Sequence, residues 1–323
     1  MIKKVAKVIA IVLAIPIIGV CLLYIYNMRI VESKDPVVSA PASTHFANIG
    51  SEKIAYGEID NHASTTVVFV GGLSAWNGTW ERVMTAANMI DPHFNYVAID
   101  LPPFGYSIPD KRKNYFRDTQ AERIAAFIDV KHIEHVILVG HSYGGGPVTE
   151  YAMRHKNKVT KIVLVDAVLN VDEQKNVSTF SPIQLGVLRT TLLGAVIHIR
   201  PFAISQLKSF VFITDHVDDA LLDIYTRYMN TKGATSRLSK WLLDYMNDPL
   251  GYDSTKSEKY KALSMPVRII WGEEDTITPI SGTKILLDSI PNVSLQILHG
   301  VGHIPMIEDH LLFDNALSES LKN

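Results

Sequence analysis

From residue 65 onward, short runs dense in β-branched and other apolar residues recur along the chain, at residues 65–70, 94–99, 135–139, 161–165 and 267–271. Most are separated by stretches whose apolar residues have helical spacing. Uninterrupted apolar strands alternating with helices are the pattern of a parallel sheet covered on both faces. Residues 294–298 supply one more strand, and residues 45–60 read as a preceding hairpin. The expected fold class is α/β, a mostly parallel twisted sheet flanked by helices. Ligands of such sheets sit at the carboxyl ends of the strands, so the residues just after each run are the ones to inspect for chemistry.

Composition narrows the partners. The chain has 323 residues, 47% hydrophobic and 20% charged, enough to bury a substantial core. Its 31 basic and 33 acidic residues give a formal charge of −2 without long single-sign blocks, which excludes an electrostatic footprint for nucleic acid. The single cysteine, Cys21, cannot form an intramolecular disulfide, and no Cys/His spacing resembles a zinc site. Neither a metal nor a cofactor is implied, and no protein partner.

Residues 8–26 carry no charge and approach the ~20 residues a membrane helix needs. Lys3, Lys4 and Lys7 precede them, so the positive-inside rule puts the N-terminus in the cytoplasm and everything after Arg29 on the extracytoplasmic, periplasmic or extracellular side. A cleaved signal peptide is the alternative and would give a secreted protein. Its apolar core is usually only ~7–15 residues, and the best small-x-small site, Val38-Ser39-Ala40, lies far downstream. A lipoprotein reading through Cys21 is weaker, because Val20 is bulky where a small residue is expected. The expected division is a cytoplasmic tip and signal-anchor at 1–30, a polar linker at 31–44 and a catalytic domain at 45–323.

The run 135–139 leads into Gly140-His141-Ser142-Tyr143-Gly144, a glycine-flanked serine where a strand turns into a helix. Such a turn presents the serine hydroxyl as a nucleophile, and the Tyr143 amide falls in the first helical turn, where free N–H groups favour a developing negative charge. After the run 267–271 comes Gly272-Glu273-Glu274-Asp275-Thr276-Ile277-Thr278-Pro279, and after 294–298 comes His299-Gly300-Val301-Gly302-His303-Ile304-Pro305. A serine, an acid and a histidine thus arrive in that order at one sheet edge.

On these motifs the chain from about residue 45 to 321 resembles the α/β-hydrolase superfamily: a G-H-S-x-G elbow, a G-x-x-D-x-x-x-P acid loop and a G-H final loop. The resemblance implies Ser142 as nucleophile, Asp275 as acid and His303 as base, with oxyanion amides from Tyr143 and from Leu73 in Gly71-Gly72-Leu73, where Gly71 stands in place of a frequent histidine. Asp100-Leu101-Pro102-Pro103-Phe104-Gly105-Tyr106-Ser107 resembles a structural turn of the family. His299 is a second candidate base, and Glu273, Glu274 and Asp166 are other candidate acids. His141 is expected to orient the elbow.

The stretch from about 170 to 262 is longer than a crossover needs and reads as a helical cap. Phe180, Leu185, Leu188, Leu192, Leu193, Phe202, Phe210 and Phe212 are available within it to meet an apolar substrate group. The expected function is a membrane-tethered serine hydrolase of the esterase or lipase type, acting on a small-molecule ester or lipid. Carbon–carbon hydrolases, amidases, thioesterases and haloperoxidases share the motifs. A non-catalytic ligand receptor is the rival from outside enzymology. Epoxide hydrolases and haloalkane dehalogenases are disfavoured, because they place aspartate at the Ser142 position.

Overall fold

The computed structural model describes residues 2–173 and 184–322. Its strands are β1 (His45–Ile49), β2 (Glu52–Ile59), β3 (Thr65–Val70), β4 (Asn95–Ile99), β5 (His135–His141), β6 (Val159–Val165), β7 (Val267–Gly272) and β8 (Val293–Leu298). They form one sheet in the order β1-β2-β4-β3-β5-β6-β7-β8. β1 and β2 make an antiparallel hairpin and β2 lies antiparallel to β4, while every pairing from β4 across to β8 is parallel. Each apolar run read from the sequence is a strand, so the α/β architecture holds.

Alternation along the strands builds two cores. Val67 and Phe69 of β3 face a layer with Trp80, Val83 and Phe313, whereas Val68 and Val70 face a layer with Ile124, Phe127 and Val148. Helices Asn77–Ile90 and His310–Leu321 therefore cover one face, and Arg117–Val130 and Gly145–Arg154 the other. Because both faces are covered, no polar alternation survives in the central strands.

Buried polar groups tie the loops to this frame. Glu52 accepts hydrogen bonds from Arg123 Nη2 at 2.9 Å and from the Asp110 amide at 2.9 Å, with both charged side chains buried. Asp100, at the exit of β4, accepts from Asn77 Nδ2 at 2.8 Å and from the Tyr106 amide at 2.7 Å. Burial pushes the Asp100 carboxyl up to about 7 despite those donors. The Ser107 hydroxyl closes the turn, donating to the Asp100 carbonyl and accepting from the Ala55 amide. These bonds give the Asp100–Ser107 stretch a structural job.

Between β6 and β7 lies an inserted helical region whose longer helices are Gly186–His198, Arg200–Lys208, Asp219–Thr226 and Ala234–Met246. Within residues 215–229, where the sequence has helical spacing, the helix covers Asp219–Thr226. At the N-terminus, helix Ile2–Tyr26 continues into a π-helical turn, Asn27–Val31. Its Ala14–Val31 window is long and apolar enough to cross a membrane, and only 6% of that window is buried.

The polar stretch after this helix does not begin as a free spacer. Asn27 and Glu32 are buried, and Glu32 Oε1 accepts from the Thr235 amide at 3.3 Å. The Lys232 amide donates to the Lys34 carbonyl at 2.8 Å. Polar composition suggested a tether; here Glu32 Oε1 and the Lys34 backbone meet the inserted region. Asp35 then caps the short Pro36–Ser39 turn through the Val37 and Val38 amides.

Arg123→Met would leave the buried Glu52 carboxylate without its guanidinium, since Lys113 reaches only its edge at 3.2 Å. Loss of one partner from a buried pair costs about 3–5 kcal/mol. Urea unfolding of the detergent-solubilised chain should show a drop of that order, and a change within the scatter of surface substitutions would contradict it.

Candidate active site

At the end of β5 the backbone enters the left-handed region at Ser142, φ +50°. A non-glycine residue held there costs about 1–3 kcal/mol and persists only where its surroundings enforce it. Two close approaches do so. A Cβ on Gly144 would lie 2.4 Å from the Val70 carbonyl oxygen, and one on Gly72 would lie 2.6 Å from the Ser142 Cβ. Only glycine lets the elbow and the loop after β3 meet this closely.

His303, in the loop after β8, reaches the elbow. Its Nε2 lies 2.9 Å from Ser142 Oγ and its Nδ1 lies 2.8 Å from Asp275 Oδ2. Asp275, in the loop after β7, is fixed in turn by the Ile277 and Thr278 amides, at 2.8 Å and 2.9 Å on Oδ1, and by the Thr278 hydroxyl on Oδ2. Because Nδ1–H donates to a carboxylate, Nε2 is left as the acceptor for the serine hydroxyl. Burial raises the Asp275 carboxyl, but the hydrogen bond and charge of His303 and the Thr278 donors outweigh it and hold it below its ordinary value. The acid is ionised at neutral pH, and the hydroxyl has a base in contact.

The histidine loop is held from two sides. His141 Nε2–H donates to the His303 carbonyl at 2.8 Å. Burial, with the charge of neighbouring His303, pushes His141 down to about 3, so it braces as a neutral ring. From the inserted region, the Phe210 carbonyl accepts the His303 amide at 2.9 Å, and the Phe210 ring lies 5.9 Å from the imidazole. Glu308 Oε1 accepts from the Gly302 amide at 2.9 Å and its Oε2 from the Phe212 amide at 2.7 Å, stapling the same two segments.

Ser142, Asp275 and His303 are thus brought together as the sequence suggested. The rival candidates stand elsewhere. His299 is exposed and pairs with Glu273 at 2.8 Å, and Glu274 is also exposed. Asp166 lies buried at the end of β6, where its Oδ1 accepts the Gly272 amide at 2.8 Å. Burial and the negative charge of Asp275 push its carboxyl well above the ordinary range, and its hydrogen bond goes to the Gly272 amide rather than to the imidazole.

The Tyr143 amide lies at the start of the helical segment after Ser142, and its hydroxyl is pinned by Gln120 Nε2 and the Tyr115 carbonyl, both at 3.1 Å. Among the described residues the Leu73 amide donates to no protein acceptor. Leu73 borders an apolar cavity of about 60 Å³ that is also lined by Ser74, Val196, Ile197, Phe210 and Met229.

Among the described apolar residues expected to meet a substrate, Phe210 alone borders this cavity. Leu185, Leu192, Phe202 and Phe212 are exposed, Leu188 is half-buried and Leu193 packs on the core. Phe180 lies outside the described residues. Thr278 and Glu308 escaped the sequence reading. An acid five residues after the histidine, within Ile304-Pro305-Met306-Ile307-Glu308, was the available signal for the second.

Residues 65–310 match the family described as alpha/beta hydrolase fold. The chain belongs to that family. Similar α/β hydrolases include a lipase 3 of Moraxella sp. (strain TA144), 21% identical over 80% of this chain and 77% of its own. A 2-hydroxymuconate semialdehyde hydrolase of Pseudomonas sp. (strain CF600) is 26% identical over 77% of this chain and 83% of its own. Among solved structures, a bacterial membrane phospholipase A superposes with a TM-score of 0.64 at 21% identity, covering 98% of this chain and 99% of its own.

Since Asp166 keeps its proton to higher pH in the folded chain than in the unfolded one, its contribution is complete below the ordinary carboxylate range and is lost as pH rises through and above it. Asp166→Asn removes that loss while keeping an oxygen for the Gly272 amide. The variant should gain stability over the wild type as pH rises above the ordinary carboxylate range. Parallel stability–pH curves for the two chains would refute the upward shift.

Proposed function

We propose that this α/β hydrolase is a membrane-anchored serine hydrolase that cleaves carboxylic esters through an acyl-enzyme. The observation that carries the reading is the continuous Ser142–His303–Asp275 hydrogen-bond chain ending on a serine in the left-handed region. Ser142 Oγ attacks the ester carbonyl while His303 Nε2 takes its proton, and Asp275 holds the imidazole tautomer and stabilises the resulting cation. The amides of Leu73 and Tyr143 receive the oxyanion. His303 returns the proton to the departing alcohol, then takes one from water, whose oxygen attacks the acyl carbon and frees Ser142.

The apolar cavity beside Leu73 supports an apolar acyl or alcohol group, and the names lipase 3 and membrane phospholipase A among similar proteins agree with it. Carbon–carbon bond cleavage is the second reading, favoured by the similarity to a semialdehyde hydrolase. A site for an anionic keto acid would want a cation, and among the described residues no basic side chain lines the cavity. Anchoring is supported by the packing of Asn27, Glu32 and Lys34 on the inserted region, since signal cleavage at Val38-Ser39-Ala40 would detach residues that the folded chain uses. Lys3, Lys4 and Lys7 orient the N-terminus to the cytoplasm and the hydrolase domain to the far side.

Full-length protein in detergent should react with a fluorophosphonate probe, and Ser142→Ala should not; a folded wild type that stays unlabelled would defeat the proposal. Asp275→Asn should lower kcat on a nitrophenyl ester by about 10⁴-fold. Asp166→Asn should change it less than about tenfold, because it does not touch the imidazole. Comparable losses in the two variants would mean that the acid has been misassigned.

A further inference from the structure

The corner between helices Gly186–His198 and Arg200–Lys208 turns by 83° and carries two sets of apolar residues. Val196, Ile197, Ala203 and Leu207 border the cavity beside Leu73. Leu192, Ile199 and Phe202 look outward, joined by Phe212 and Ile213 from the following segment, and all five are exposed, Phe202 by 55%. Five large apolar side chains left exposed within residues 192–213 exceed ordinary scatter and mark a binding surface.

What covers it follows from the neighbouring helix. The N-terminal helix packs against Gly186–His198, and the approach is close enough that a Cβ on Gly194 would lie within 2.3 Å of Asn27 Nδ2. Asn27 opens the π-helical turn at the far end of the apolar window, and the Glu32–Thr235 bond fixes that end to the inserted region. Wherever the N-terminal helix leaves the bilayer, the corner is therefore held beside it. Ile15, Ile17, Ile18, Leu22 and Ile25 expose a like surface along that helix.

We propose that the outer face of this corner is embedded in the lipid leaflet next to the N-terminal helix, and that the ester-bearing lipid enters the cavity through it. The proposal rests on the anchored ester-hydrolase reading above and names its substrate as one delivered from a membrane. An acyl chain entering through this corner displaces it outward, because Val196, Ile197, Ala203 and Leu207 wall the cavity on that side. In water that movement would expose Val196, Ile197, Ala203 and Leu207; in lipid the exposure carries no hydrophobic penalty. The bilayer is then both the reservoir of substrate and the medium that permits opening.

Depth labelling of the full chain tests the surface directly. In a Cys21→Ser background, Phe202→Cys is labelled with an environment-sensitive nitrobenzoxadiazole fluorophore and reconstituted in phosphatidylethanolamine–phosphatidylglycerol vesicles. Met89→Cys, in the helix Asn77–Ile90 and 80% exposed, serves as the aqueous control. The label at 202 should be quenched by doxyl-lipid and shielded from iodide, and the label at 89 should behave oppositely. Equal iodide quenching at the two positions would overturn the proposal. In the second arm, Leu192→Ser combined with Phe202→Ser should slow cleavage of a vesicle-embedded long-chain ester by about tenfold while sparing a water-soluble butyrate ester. Unchanged cleavage of both would overturn the delivery route. If both activities fall because the variant misfolds, the labelling result decides alone. A wild type that cleaves neither ester while its 202 label is shielded would sink the ester reading and leave the membrane surface standing.

Discussion

Parallel strands send every crossover loop out at the same end of the sheet, and the site follows from that single constraint. β3, β5, β7 and β8 deliver Gly72, Ser142, Asp275 and His303 from widely separated parts of the sequence to one rim. Strand register fixes how far each loop starts from its neighbours. What remains for the loops is fine adjustment, done by glycines that permit contact and by amides that hold side chains still. The left-handed backbone at Ser142 is sustained by this frame: the β3 loop and the Gly144 turn leave the elbow no room to relax.

Electrostatics then separates residues of the same chemical type into different states. Asp275 and Asp166 are both buried aspartates at strand ends, yet one is surrounded by donors and an imidazole while the other faces its ionised neighbour with one amide for support. Likewise His303 sits between a carboxylate and a hydroxyl, whereas His141 is buried without an acidic partner and stays neutral. Environment, rather than residue identity, distinguishes the candidate triad from its bystanders.

Much of this was legible in the order of residues because it is local. A strand followed by G-H-S-Y-G, or an acid loop following residues 267–271, declares itself within about ten positions. The rim geometry adds only that the loops converge. Contacts that join the inserted region to the sheet were not legible, because they depend on pairing residues some ninety positions apart: the Phe210 carbonyl with His303, and Glu308 with the Phe212 amide. Hydrophobicity alone also could not tell an inward from an outward side chain on the 83° corner, so Phe202 and Leu192 looked as suitable for the cavity as Phe210.

The docking of Asn27, Glu32 and Lys34 has a consequence for how such a molecule ages. Proteolysis near Asp35 would cut the covalent link but leave a peptide clasped by the Thr235 amide and by the backbone bonds of Lys34 to Asn230 and Lys232. Departure of the N-terminal helix would require that clasp to dissociate, baring the helix flank around Gly194 beside the wall that carries Val196 and Ile197. A cut chain would therefore stay assembled for as long as those few bonds persist.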